Sequence, residues 1–247
     1  MKPVAGTTPD GTTSEVEASR WVRGMFGRVA HRYDLANHLL SANIDKHWRS
    51  VTVSRVREIL HRPGSRVLDL ACGTGDLLIA MEREAGRAIL GSDFCHPMLE
   101  GAQTKLNRAR LGSKLFEADG LALPMADASL DLITIAFGFR NFANYRAGLV
   151  EMRRVLRPGG ALAILEFTQS PNKVFAALYN WYTRRILPIL GGVISGAPEA
   201  YKYLPESVRK FPDAPDLASL MQNSGFAKVD WEYMTFGIVA LHIGRAQ

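Results

Sequence analysis

The chain has 247 residues, 47% of them apolar and 22% charged, with 22 glycines and two cysteines; this suits one α/β domain with elaborations and excludes disordered, collagen-like and disulfide-stapled classes. Thirty Lys and Arg against 24 Asp and Glu give a net charge of +6, too dilute over this length to name nucleic acid or a membrane as partner. Cys72 and Cys95 belong to no CxxC or Cys/His cluster, so no metal site is expected.

In chain order, residues 1–13 are rich in Thr, Gly and Pro and read as a mobile tail. The first nineteen residues contain no apolar run but do contain Asp10, Glu15 and Glu17. They resemble neither a secretory nor a transit signal, and the expected compartment is the cytoplasm. Residues 14–65 read as N-terminal helices. Ser14-x-x-Glu17 is a capping box opening a helix toward Arg32. A second helix starts near Asp34, and a third runs from Asp45 to Leu60, stopped by His61-Arg-Pro-Gly64.

From residue 66 to 247 the pattern is strand and helix in alternation. RVLDL, RAILGSD, KLFEAD, DLITIAF and ALAILEF are short β-rich runs spaced for intervening helices, which predicts a parallel sheet covered on both faces. An apolar, aromatic, helix-prone insertion interrupts the alternation at about 169–212; Arg184-Arg185 and its Gly and Pro residues make it a poor membrane span. After a helix from Ala214 to Asn223 come AKVDWEYM and GIVALHIGR. Separated only by Thr235–Gly237, these must form an antiparallel closing hairpin.

The loop DLACGTG, Asp69 to Gly75, ends the first strand and opens a helix. Its glycines, Gly73 and Gly75, let backbone approach a ligand, and Thr74 lies between them at the free amides of the helix start. Asp93 closes the second strand, where a carboxylate can accept both hydroxyls of a ribose. Asp119 and Gly120 close the third, where they can flank an adenine edge. A dinucleotide fingerprint needs a third small residue where Leu78 stands, and no GxxxxGK[ST] is present, so both phosphate-binding readings fail. Asp69 would repel a phosphate and welcomes a cationic, phosphate-free ligand. S-adenosylmethionine, a sulfonium, fits. The expected fold is therefore a seven-stranded Rossmann-like methyltransferase sheet, mostly parallel, with an antiparallel closing hairpin, N-terminal helices and a helical insertion.

Several stretches carry a family resemblance. YDLANHLLSANIDKHW (33–48), RVLRPGGALAILEFT (154–168), AFGFRNF (136–142), YKYLPESVRKFPD (201–213) and FGIVALHIG (236–244) resemble the signatures of the ubiquinone/menaquinone biosynthesis C-methyltransferases, over everything from about Phe26 onward. The resemblance implies methyl transfer from S-adenosylmethionine to a ring carbon of a polyprenylated quinol: demethylmenaquinol, and also the benzoquinol of the ubiquinone pathway. It puts Thr74, Asp93, Asp119 and Gly120 on cofactor positions. Ala36 and Thr168 stand where the family often has Met and Ser, and Ala136 stands where a cofactor-contacting Ser is common.

Alkylating a ring carbon needs an electron-rich ring in line with the methyl group, hence a phenolate and excluded water. Arg140 and Asn141 follow the fourth strand on the substrate edge. Arg140 is expected to stabilise the phenolate, being unable to act as an ordinary base, and Asn141 to orient it. Tyr33 is a candidate contact to cofactor or quinol; Asp34 and His38 are either a helix cap and a structural imidazole or a proton relay. The insertion, with Tyr179, Trp181 and Tyr182, is either core or a lid over the isoprenoid.

Residues 1–65 hold ten Lys/Arg and six Asp/Glu, so +4 of the charge precedes the sheet. That placement favours peripheral contact with an anionic membrane over nucleic acid. Other readings are methylation of another small aromatic molecule or a non-catalytic scaffold of a quinone-synthesis complex. The sequence leaves assembly open, a homodimer being one outcome.

Overall fold

The computed structural model describes residues 6–30, 43–172 and 198–247, together with Phe175 and Arg185. Tyr33, Asp34, Ala36, His38 and the second helix expected near Asp34 lie outside the described residues, as do Tyr179, Trp181, Tyr182 and Arg184 of the insertion.

Seven strands form one sheet: β1 (Val67–Leu70), β2 (Leu90–Asp93), β3 (Lys114–Glu117), β4 (Leu130–Ala136), β5 (Leu156–Phe167), β6 (Phe226–Met234) and β7 (Val239–Ala246), in the order β3-β2-β1-β4-β5-β7-β6. Pairings from β3 through β5 are parallel, and β7 runs antiparallel to both β5 and β6. Side chains alternate between sheet faces with period two. Leu68, Ile133 and Ile164 therefore enter one core with Leu149 and Met152 of α5 (Tyr145–Val155) and Met221 of α7 (Ala214–Asn223). Val67, Leu132 and Ala163 enter the other with Trp48 and Leu60 of α2 (Ile44–His61) and Met81 of α3 (Asp76–Ala85). Both faces are covered, as a parallel sheet requires.

The first helix, α1 (Glu15–Val29), starts as expected: the Ser14 side chain accepts the Glu17 amide, while Glu17 accepts the amide and hydroxyl of Thr13. α4 (His96–Ala109) follows β2, and α6 (Pro198–Lys210) precedes α7. Two expectations are corrected. β5 begins at Leu156, five residues before Ala161, because Leu156 is buried and pairs with Leu130 ahead of an irregularity that takes up the Arg-Pro-Gly-Gly run. And Gly6–Thr13 are not a loose tail: the Thr7 amide donates to the Phe142 carbonyl at 2.8 Å, and the Thr7 hydroxyl meets that of Tyr203 at 2.7 Å. These bonds tie the segment to α6 and to the loop after β4.

One core histidine sets a pH dependence. His242 on β7 is buried, its Nε2 is 2.9 Å from the Ala214 carbonyl, and desolvation lowers its pKa from 6.5 to about 4 against that hydrogen bond. The folded protein keeps the ring neutral while the unfolded chain takes up a proton below about pH 6.5. Stability is therefore lost as pH falls from about 6.5 to about 4, at about 1.4 kcal/mol per pH unit. In urea unfolding at pH 7 and 4.5, wild type should lose about 2–3 kcal/mol more than His242→Gln; equal losses would contradict the assignment.

Candidate active site

Parallel strands bring the carboxyl ends of β1 to β5 to one edge, and at the point where strand order reverses, between β1 and β4, their loops leave a crevice. Here it is an open cleft of about 960 Å³, the solvent at its mouth included. The chain leaves β1 through Ala71, with φ +52°, and Gly73 and Gly75 follow with φ of +55° and +85° before α3 begins at Asp76. This left-handed path folds the loop back on itself and against β2: the Cys72 amide donates to the Ser92 carbonyl at 3.0 Å and the Gly75 amide to the Cys72 carbonyl at 2.9 Å. Gly138, after β4, is needed for close approach: a Cβ there would lie 2.6 Å from the Ala71 Cβ.

Asp93 ends β2 and ties the loops together. Its Oδ2 accepts the Gly73 amide and its Oδ1 the Cys95 amide, each at 2.9 Å. Desolvation still pushes its pKa up to about 6. Asp69 sits on the β1 face shared with Val67, and its Oδ1 accepts the Thr134 hydroxyl at 2.7 Å. Its Oδ2 is buried with no hydrogen bond among the described residues. Burial raises the Asp69 pKa to about 7, opposed by the Thr134 bond and the Arg49 charge. Asp69 lies in the cleft wall, and its buried carboxylate puts negative charge behind that wall, which favours a cationic ligand.

Asp69, Gly73, Thr74, Asp93, Asp119, Gly120 and Asn141 all line this one cleft. Asp119 is exposed and accepts the Leu121 amide at 2.9 Å. A Cβ on Gly120 would lie 2.5 Å from the Phe142 ring, so the glycine keeps the wall thin. Asn141 is 9% exposed and its Oδ1 accepts the Tyr203 hydroxyl at 3.0 Å; Tyr203 in turn accepts from Thr7. Ala136 also lines the cleft, presenting a methyl group. Gly75 does not: it caps α3, with the position of a Cβ 3.2 Å from that of Ala102.

Arg140 departs from its expected place. It is 5% exposed and absent from the cleft wall. Nη1 is 2.9 Å from Glu166 Oε1 and also donates to the Phe137 carbonyl, and the Arg140 amide donates to Glu166 Oε2 at 3.1 Å. A guanidinium buried to this extent requires a carboxylate partner. Glu166, at the end of β5, supplies it, so Arg140 braces the 137–141 loop behind the wall that Asn141 faces. Tyr33 lies outside the described residues.

Several cleft residues went unread in the sequence, among them Phe94, Phe137 and Arg49. Phe94 follows Asp93 and offers an apolar flank beside Asp119 and Gly120. Phe137, φ +60°, packs with Phe167 and Trp48 at ring separations of 4.8 and 5.8 Å. Arg49 on α2 reaches the cleft with its guanidinium 5.6 Å from the Phe137 ring centre. Among the described residues no cluster of three potential metal ligands occurs, and no helix is long and apolar enough to cross a membrane.

Comparison with known proteins gives the geometry a context. A sequence model described as the ubiE/COQ5 methyltransferase family matches residues 13–246. The chain is similar to a demethylmenaquinone methyltransferase of Thermus thermophilus, 48% identical over 221 residues, 89% of this chain and 99% of that one. It is also similar to a ubiquinone/menaquinone biosynthesis C-methyltransferase of Paracoccus denitrificans, 36% identical over 236 residues, 94% of this chain and 93% of that one. Among solved structures, a SAM-dependent methyltransferase from Aquifex aeolicus superposes with a TM-score of 0.55 at 19% identity, covering 78% of this chain and 88% of that one. The [4+2]-cyclase SpnF gives 0.57 at 16%, covering 78% and 80%. Since a cyclase shares it, the fold by itself does not assign methyl transfer.

The raised pKa of Asp69 makes ligand binding depend on pH. A cationic ligand favours the ionised carboxylate, whereas below about pH 7 the buried group holds a proton that binding must release. Affinity for a sulfonium nucleoside should therefore rise from pH 6 to pH 8, by up to about tenfold per unit below pH 7. Calorimetric titration should show proton release, and Asp69→Asn should flatten the profile.

Proposed function

The chain belongs to the ubiE/COQ5 methyltransferase family, and from that premise we propose that it transfers a methyl group from S-adenosylmethionine to a ring carbon of demethylmenaquinol. The products are menaquinol, S-adenosylhomocysteine and the proton that leaves the methylated ring carbon, and the benzoquinol of ubiquinone biosynthesis is a second substrate. The observation that carries the reading is the single cleft in which the carboxylates of Asp69, Asp93 and Asp119 surround the glycine loop, joined to the identity with named C-methyltransferases along nearly the whole chain.

The cleft fits the donor. The buried carboxylate of Asp69 suits the positive charge of the methionyl end, and Asp93 has lone pairs beyond its two amide bonds for ribose hydroxyls. Phe94, Gly120 and Phe142 give a thin apolar slot for a purine. Bound there, S-adenosylmethionine supplies an electrophilic methyl group to a carbon nucleophile in line with it. The protein's part is positioning, charge and exclusion of water. With its Oδ1 held by Tyr203, Asn141 offers its Nδ2 to a phenolate oxygen, concentrating electron density on the neighbouring ring carbon. Phe137 and Phe142 line the cleft together with Asn141 and make its wall there apolar. The Arg140–Glu166 pair keeps Asn141 in register, as a positioning residue pair.

A polyprenylated quinol resides in a bilayer, so the reading includes peripheral contact with a membrane. Support comes from the excess of basic residues before the sheet and from Phe236, 73% exposed in the β6–β7 turn beyond the carboxyl end of β5.

The deciding assay is methyl transfer from labelled S-adenosylmethionine to demethylmenaquinol held reduced. Turnover is expected with the quinol and not with the oxidised quinone, whose ring is not nucleophilic. Asn141→Leu should lower kcat by about 10²–10³ with donor affinity nearly unchanged. Donor binding without turnover on either quinol would refute the proposal.

A further inference from the structure

The cleft carries an unequal distribution of charge. Asp69, Asp76, Asp93 and Asp119 line it, and among the described residues that line it Arg49 is the one basic side chain. α2 delivers this residue from outside the alternating strand–helix region. Nη1 pairs with Asp45 one turn earlier, Nη2 lies 3.7 Å from Asp76 at the start of α3, and the guanidinium lies over the Phe137 ring. Its side chain is half the exposure of the Asp76 it faces. The place is the β1–β4 end of the cleft, beside Asp69, away from Asp93 and Asp119 at the ends of β2 and β3. That end takes the methionyl portion of the donor if the other takes the nucleoside.

A methionyl group is a zwitterion: beside its ammonium it carries a carboxylate, which a wall of aspartates alone would repel. A planar guanidinium has five N–H donors in a fixed fork suited to carboxylates. It can hold Asp45 on one side and a ligand carboxylate on another. We infer that Arg49 is the subsite for the α-carboxylate of the amino-acid tail, while the buried carboxylate of Asp69 supplies the negative charge behind the wall that favours its ammonium. The inference rests on the proposed reading of the cleft as an S-adenosylmethionine site and adds to it a residue that selects for the intact amino acid. The ion pairs with Asp45 and Asp76 set the orientation of the fork before the ligand arrives, which lowers the ordering cost of binding.

The test compares S-adenosylmethionine with decarboxylated S-adenosylmethionine, which keeps the sulfonium and the amine and lacks only the carboxylate. Titration of each into wild type should show a preference of about ten- to hundredfold for the intact donor, the range of a charge-assisted hydrogen bond. Arg49→Gln should collapse that ratio toward one by weakening the intact donor alone. Arg49→Lys, which keeps the charge but not the fork, should retain part of it. A ratio of two affinities measured on one preparation does not depend on the fraction folded, so a purely structural role for Arg49 leaves it unmoved. An Arg49→Gln protein with the wild-type ratio, or a wild type without a preference, overturns the assignment and leaves the methyltransferase reading standing. A wild type that binds neither nucleoside overturns both.

Discussion

A carboxylate withdrawn from water must be met by donors, and the way Asp93 is met organises the rest of the cleft. The amides of Gly73 and Cys95 converge on its two oxygens. One bond fixes the loop after β1 and the other the start of α4, so the ends of two adjacent strands are held at one point. Neither amide belongs to a helix or strand ladder, and each would be an unsatisfied buried donor without the carboxylate. The left-handed turns at Ala71, Gly73 and Gly75 are tolerable because this tie over-determines them. Everything the cleft does with a ligand presupposes that the loop is already in place.

Behind the opposite wall a different solution serves the same end. The loop after β4 carries Phe137 in a left-handed conformation and must present Asn141 to the cleft. Glu166 holds both the backbone and the guanidinium of Arg140, Tyr145 donates to the Arg140 carbonyl at 3.0 Å, and Tyr203 holds the amide of Asn141. The wall is set by charge-assisted bonds from Glu166 on β5 and a neutral hydroxyl bond from Tyr203 on α6, with Thr7 closing the chain of hydroxyls from the far end of the sequence. Carboxylates gathered on one side and a braced loop on the other both cost stability when the cleft is considered alone. Such local costs are characteristic of sites built to meet charge on a ligand.

The strands were legible as short apolar runs, buried almost without a break in β1 and β4 because both sheet faces are covered, and Asp69, Asp93 and Asp119 were legible because they stand at or near the ends of such runs. The helix expected from Ala214 to Asn223 has those bounds, and Asp213 caps it by accepting the Asp216 amide. Arg140 was read to the right loop and the wrong direction: its position after β4 does not reveal Glu166, 26 residues on, which turns it inward. Arg49 gave no signal, since a lone arginine on a helix before the sheet looks like solvated surface until α2 is packed beside α3. Thr7 and Tyr203, 196 residues apart, meet only through the tertiary fold. Local periodicity carries elements and their ends; the direction of a long polar side chain is decided by partners distant in sequence.

The placement of β7 has a consequence for how the molecule is made. It lies between β5 and β6 and pairs with both, so β6 has no partner in the sheet until β7 arrives. During vectorial synthesis the ribosome delivers β6 first. Until Val239–Ala246 have cleared the exit tunnel, β5 presents an open edge and β6 an unpaired strand, both prone to non-native pairing. The sheet is completed by insertion of a late strand and not by growth at its rim. The nascent chain thus carries its greatest exposure to misassembly between the synthesis of β6 and the docking of β7, when a chaperone guarding the β5 edge matters most.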